Sequence, residues 1–188
     1  AELPTRSESE EADRQAFTEA FALVSIAADV VVIDTPGANS YLGRLAHKIA
    51  DTLVTPMNDS FVDFDVLGLI DPVTGRVKRP SVYSEMVWDA RKNKAAKGGK
   101  PIDWIVVRNR LSTLNAHNKR RVEGAVKELA KRIGFRFEPG LSERVIYREL
   151  FIKGLTLMDF SSGALGKLSM SHIAARQELR DLISALHI

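Results

Sequence analysis

No cysteine occurs anywhere in the 188 residues, which excludes disulfides and thiolate metal sites and fits a reducing compartment. Histidine is scarce as well: His47, His117, His172 and His187 lie far apart, without metal-ligand spacing. No apolar run approaches the ~20 residues that a membrane span takes. The opening Ala1-Glu2-Leu3-Pro4 does not read as a signal peptide. Large net charge is missing too, at +3, and 45% hydrophobic with 27% charged residues is ordinary for a single globular domain.

The small net charge hides an uneven distribution. Residues 1–20 carry Glu2, Glu8, Glu10, Glu11, Asp13 and Glu19 against Arg6 and Arg14, a net of −4. Residues 89–121 carry ten basic residues, among them Arg91, Lys92, Lys94, Lys119, Arg120 and Arg121, against Asp89 and Asp103, a net of +8. Such a block attracts polyanions if it lies on one face, and phosphate contacts need no base-reading geometry. A solvated helix surface, with cations complementing a helix C-terminus, is the other reading.

Val30-Val31-Val32-Ile33 reads as a strand buried on both faces, ending at Asp34 and stopped by Thr35-Pro36-Gly37. A carboxylate at the carboxyl end of a parallel strand suits the water shell of a Mg²⁺ held by nucleotide phosphates, the Walker B arrangement. A buried strand that simply ends in Asp at a turn is the alternative.

The rest of the chain alternates helix and strand. Residues 1–10 read as a polar lead-in and 11–28 as a helix docked on a sheet through Phe17, Ala20, Phe21 and Val24. Residues 41–49 read as a helix and Asp51 to Pro56 as a strand stopped by the proline. Residues 59–70 read as helical, with turns at Asp71-Pro72 and Thr74-Gly75. A helix over 80–97 ends at a Gly98-Gly99-Lys100-Pro101 breaker. Ile102 to Val107 and Phe135 to Phe137 read as strands, and 115–133, 142–151 and 171–186 as helices, with a flexible link at 161–166. This order predicts an α/β fold, a mostly parallel sheet flanked by helices. The amphipathic last helix suits the domain's own core better than a membrane surface, because Arg176 and Arg180 mix with Glu178 and Asp181.

Two further positions stand at strand ends. Asn109, beside Arg108 and Arg110, offers the donor and acceptor that match an adenine edge, or else caps a turn. Asp59 and Ser60, after the second strand, read in isolation as a helix N-cap.

Taken together, Ile33 to Gly37, Thr55 to Asp65, Arg108 to Leu111, Arg144 to Phe151 and Ala174 to Arg180 resemble the ParA/MinD family of deviant P-loop ATPases, most closely its division-plane positioning MipZ branch. The resemblance runs nearly end to end. It implies a cytoplasmic ATPase that forms a homodimer around ATP and Mg²⁺, binds nucleoid DNA without sequence preference, is recruited by ParB and inhibits FtsZ assembly. It implies Asp34 as the Walker B carboxylate, acting on Mg²⁺ through water, and Thr35, Pro36 and Gly37 as the start of switch II. Asn109 with Arg110 would lie at the adenine, and Asp59, Ser60 and Asp63 at the dimer face. Arg91, Lys92, Lys94, Lys119, Arg120 and Arg121 would contact DNA backbone, and His117 stands where another arginine is expected.

One departure is large. The family's glycine-lysine phosphate loop and its switch I segment do not occur in these residues, and Gly98-Gly99-Lys100 follows no strand. Backbone N–H groups and the lysine of that loop supply most phosphate binding. The expectation is therefore the C-terminal portion of a single ParA-like domain, starting roughly eighty residues into the family pattern. By itself it would bind ATP poorly, hydrolyse none and expose sheet edges. The alternatives to a switch ATPase stay open: a nucleotide-independent DNA- or partner-binding remnant or pseudo-ATPase, or a MinD-like enzyme cycling on membranes.

Overall fold

The computed structural model describes residues 5–58, 63, 65–71, 77–111, 116–162 and 169–188, and leaves undescribed the side chains of residues 70, 116–122 and 160–162. Two compact units arise: residues 1–51 with 85–102, and residues 52–84 with 103–188.

In the first unit, α1 (Arg6–Ala27) starts earlier than periodicity suggests, because Thr5 and Glu8 form a capping box. The Glu8 N–H donates to Thr5 Oγ1 at 3.4 Å and the Thr5 N–H to Glu8 Oε2 at 2.8 Å. The expected polar lead-in is thus helical from Arg6 onward, carried by ion pairs such as Arg6–Glu10. None of the residues of this helix is buried, and Phe17 and Phe21 stack with centroids 6.4 Å apart. α2 (Tyr41–Ile49) falls where the sequence places it, capped by Ser40.

The expected strand at Val30 to Asp34 is corrected. The segment forms no strand, and Val32 is 87% exposed. A strand needs a neighbour to satisfy its N–H and C=O groups, and among the described residues none pairs with this segment.

The second unit holds a parallel sheet in the order β1-β4-β5: β1 (Thr52–Asn58), β4 (Asp103–Asn109) and β5 (Arg136–Glu138). The predicted α/β class and mostly parallel sheet are therefore observed. β4 is central, and Trp104, Ile105, Val106, Val107 and Arg108 are all buried, the continuous pattern of a strand covered on both faces. The proline does not stop β1, which runs through Pro56 to Asn58. Among the described residues β1 has a neighbour on one side only, and an edge strand tolerates the missing donor.

Of residues 59–70, expected helical, Asp63 is helical, whereas 65–67 form a turn and 68–70 form β2 (Gly68–Ile70), in an antiparallel pair with β3 (Val77–Pro80); residues 59–62 and 64 lie outside the described set. Long-range pairing has overridden local apolar periodicity here. The turns expected at Pro72 and Thr74-Gly75 lie outside the described residues, between these two strands. Ser81 then caps α3 (Val82–Ala96) by accepting the Ser84 N–H at 3.0 Å.

α4 (Ala116–Ile133) lays Val126, Leu129 and Ile133 into the core. At the centre the Trp104 indole N–H donates to Thr55 Oγ1 at 2.9 Å, and the Tyr83 hydroxyl lies 2.7 Å from the same oxygen. α5 (Val145–Ile152), a 3₁₀ turn (Leu157–Ser162) and α6 (Met170–Ala185) build a satellite core of Ile146, Leu150, Leu157 and Ala175. The last helix thus packs on its own domain, as its mixed polar face predicts. Among the described residues no helix is long and apolar enough to cross a membrane.

Thr55 supplies one oxygen to both the buried Trp104 indole and the half-buried Tyr83 hydroxyl. Thr55→Val should therefore cost about 1–3 kcal/mol in urea unfolding, because a buried donor is left without its acceptor.

Candidate functional site

The carboxyl rim of the sheet is where open α/β folds place ligands. β1 and β4 end there together, with Asn58 and Asn109 as register partners. Two interactions fix these ends. Asp63 Oδ2 accepts the Asn58 N–H at 2.7 Å. Arg110 takes a left-handed backbone (φ 53), and its N–H donates to Asn109 Oδ1 at 3.0 Å. The Asn109 carboxamide is half-buried and oriented from within its own loop, with its NH₂ donors left to offer.

The loop after β5 locks this rim from beside it. Arg108 O accepts the Leu141 N–H at 2.9 Å, Leu141 O accepts the Leu111 N–H at 3.1 Å, and Leu111 O accepts the Glu143 N–H at 3.1 Å. Only glycine fits at the head of the loop. Gly140 has φ +84, and a Cβ there would lie 1.7 Å from Arg108 O. Glu178 on α6 then clips the loop down, accepting from the Ser142 N–H at 3.0 Å, the Ser142 hydroxyl at 2.8 Å and Arg144 at 2.7 Å. Partial burial works against ionisation of Glu178, but these donors outweigh it and hold its carboxyl below the usual carboxylate range.

Asp34, Pro36 and Gly37 are exposed and Thr35 half-buried, in the first unit, whereas Asn109 and Arg110 belong to the second. Asp63 lies at the β1 end; Asp59 and Ser60 lie outside the described residues. Among the described residues no group of three His, Asp or Glu side chains converges as a metal cage. A single exposed carboxylate such as Asp34 fits a Mg²⁺ held mainly by phosphates and water.

The basic residues separate by role. Lys94 Nζ donates at 2.7 Å to Ala50 O, the C-cap of α2, and pairs with Asp51 at 2.7 Å, leaving its side chain only 14% exposed. Arg91 donates to Ile102 O at 3.1 Å. Lys92 is exposed and pairs with the equally exposed Asp89. Lys119, Arg120 and Arg121 lie in the first turns of α4, and His117 with them.

Sequence reasoning missed Asn58, Gly140 and Glu178. The close approach of Gly140 to Arg108 depends on a pairing no local pattern encodes.

The rim yields two expected outcomes. Gly140→Ala should lower stability by more than about 2 kcal/mol in urea unfolding, since both the backbone conformation and the space exclude a Cβ. The folded-state pKa of Glu178 is lowered, so its contribution is present above the unfolded value of 4.5 and is lost as pH falls through the folded value. Glu178→Gln should cost about 1 kcal/mol at neutral pH and flatten the stability loss below pH 4.5 in acid titration.

No curated protein matches this sequence. A family model described as ATPase MipZ matches residues 2–188. With nearly the whole chain inside that match, the protein belongs to the MipZ ATPase family.

Proposed function

We propose that this chain works in a ParA-like ATP-dependent switch, in which regulated binding is the output of ATP hydrolysis. The arrangement that carries the reading is the paired ending of β1 and β4, which puts Asn109 at the sheet rim with its carboxamide pre-set by the Arg110 N–H. Membership of an ATPase family over residues 2–188 supports it.

In this reading Asn109 and Arg110 meet the adenine end of ATP. Asp34 acts on the Mg²⁺ through water, with Thr35, Pro36 and Gly37 opening a segment that responds to the γ-phosphate. The Mg²⁺, when bound, neutralises charge developing on the transferred phosphoryl group. The chain's own contribution is to hold the base, orient the metal's water shell and relay nucleotide state. Phosphate binding itself needs a glycine-lysine loop supplied from upstream residues.

Asp59, Ser60 and Asp63 face a second copy in an ATP-bound homodimer. That dimer works in the cytoplasm on nucleoid DNA, is recruited by ParB and restrains FtsZ assembly, without stable membrane insertion. For DNA, exposed Lys92 with Lys119, Arg120 and Arg121 supplies backbone contacts, while Arg91 and Lys94 hold the helix that presents Lys92. Such contacts are sequence-independent and weaken steeply with salt.

The test is fluorescent-ATP binding and turnover with Mg²⁺, on this chain and on a protein extended upstream through a glycine-lysine loop. The short chain should bind weakly and hydrolyse nothing. The extended protein should bind and turn over ATP, and Asp34→Ala should lower its kcat at least about a hundredfold. Equal, tight binding by the short chain would defeat this account of the phosphate site.

A further inference from the structure

We infer that Asn58 is a second nucleoside contact, taking a ribose hydroxyl beside the base held by Asn109. The inference rests on Asn109 meeting the base. Asn58 and Asn109 are the last residues of neighbouring parallel strands and stand in register, so their side chains leave the same face of the sheet. Neighbouring strands lie about 4.8 Å apart, a step on the scale of the distance from a base to its sugar. Asn58 is exposed, and among the described residues its carboxamide makes no hydrogen bond, so its donors and its acceptor are not spent on any of them. A hydroxyl both donates and accepts, and a carboxamide matches it in either sense.

Asp63 indicates which part of a nucleotide belongs there. One of its oxygens accepts the Asn58 N–H at 2.7 Å, which pins the carboxylate at this end of the rim. A carboxylate repels a phosphate group but accepts readily from sugar hydroxyls, the pairing by which acidic residues hold ribose in dinucleotide-binding folds. Asn58 and Asp63 therefore form a hydroxyl-binding pair next to the carboxamide of Asn109, and sugar lies on the β1 side of the rim with base on the β4 side.

The test needs no phosphate loop, because adenosine and free adenine probe this end of the site alone. Both are titrated into the ¹⁵N-labelled chain and followed through the side-chain amide resonances. Asn58→Ala should weaken adenosine about three- to tenfold, the worth of one neutral hydrogen bond, and leave adenine unchanged. Asn109→Ala should weaken both. An unchanged thermal midpoint confirms that the exposed Asn58 variant is folded. Equal weakening of adenosine and adenine by Asn58→Ala, or no weakening of either, overturns the ribose assignment while the Asn109 reading stands. Failure of the unaltered chain to take up either compound overturns both.

Discussion

The second unit depends on the burial of β4 from Trp104 to Arg108. Five consecutive side chains, Trp104 to Arg108, are removed from solvent, and the strand is paired on both sides, with β1 and β5. A strand in that position resists slipping, because Ile105 to Val107 are paired on both sides and the five buried side chains would each leave a packing site. Thr55 strengthens the constraint by tying the Trp104 indole and the Tyr83 hydroxyl to β1. A strand held this firmly also has a fixed end. Asn109 and Arg110 stand at the rim because five buried residues before them determine where β4 stops.

That fixed end is then shaped by loops rather than by the sheet. Gly140 passes so close to Arg108 that no side chain fits, and α6 reaches over through Glu178 to hold Ser142 and Arg144. The satellite core of Ile146, Leu150, Leu157 and Ala175 joins α5 to α6 and so supports the clip from behind. Rim geometry at Asn109 is thereby coupled to packing that begins some thirty residues later in the chain. A ligand that tightens the rim and a mutation that loosens α6 act on one connected set of contacts.

Much of this was legible in the sequence. The helices at 41–49, 116–133 and 170–185 follow apolar periodicity and were readable from it, and so was the class of sheet. β4 was readable because a fully buried strand leaves a continuous apolar run. The same signature misled at Val30 to Ile33, where the run is present but a pairing neighbour among the described residues is not. The β2–β3 hairpin and the passage of β1 through Pro56 were hidden for a related reason: both depend on which strand lies alongside, and local composition carries no record of that. Of the site, Asn109 showed itself by residue type and place. Asn58, Gly140 and Glu178 became visible only once strand register and loop closure were known.

Pro56 bears on what the outer side of β1 can accept. Among the described residues that side has no neighbour, and an open strand edge is ordinarily a template for any extended chain. A proline there offers no N–H, so an extended chain laid along that edge loses a hydrogen bond wherever it covers Pro56. The ring thus makes this edge a poorer template for added strands than an unbroken one.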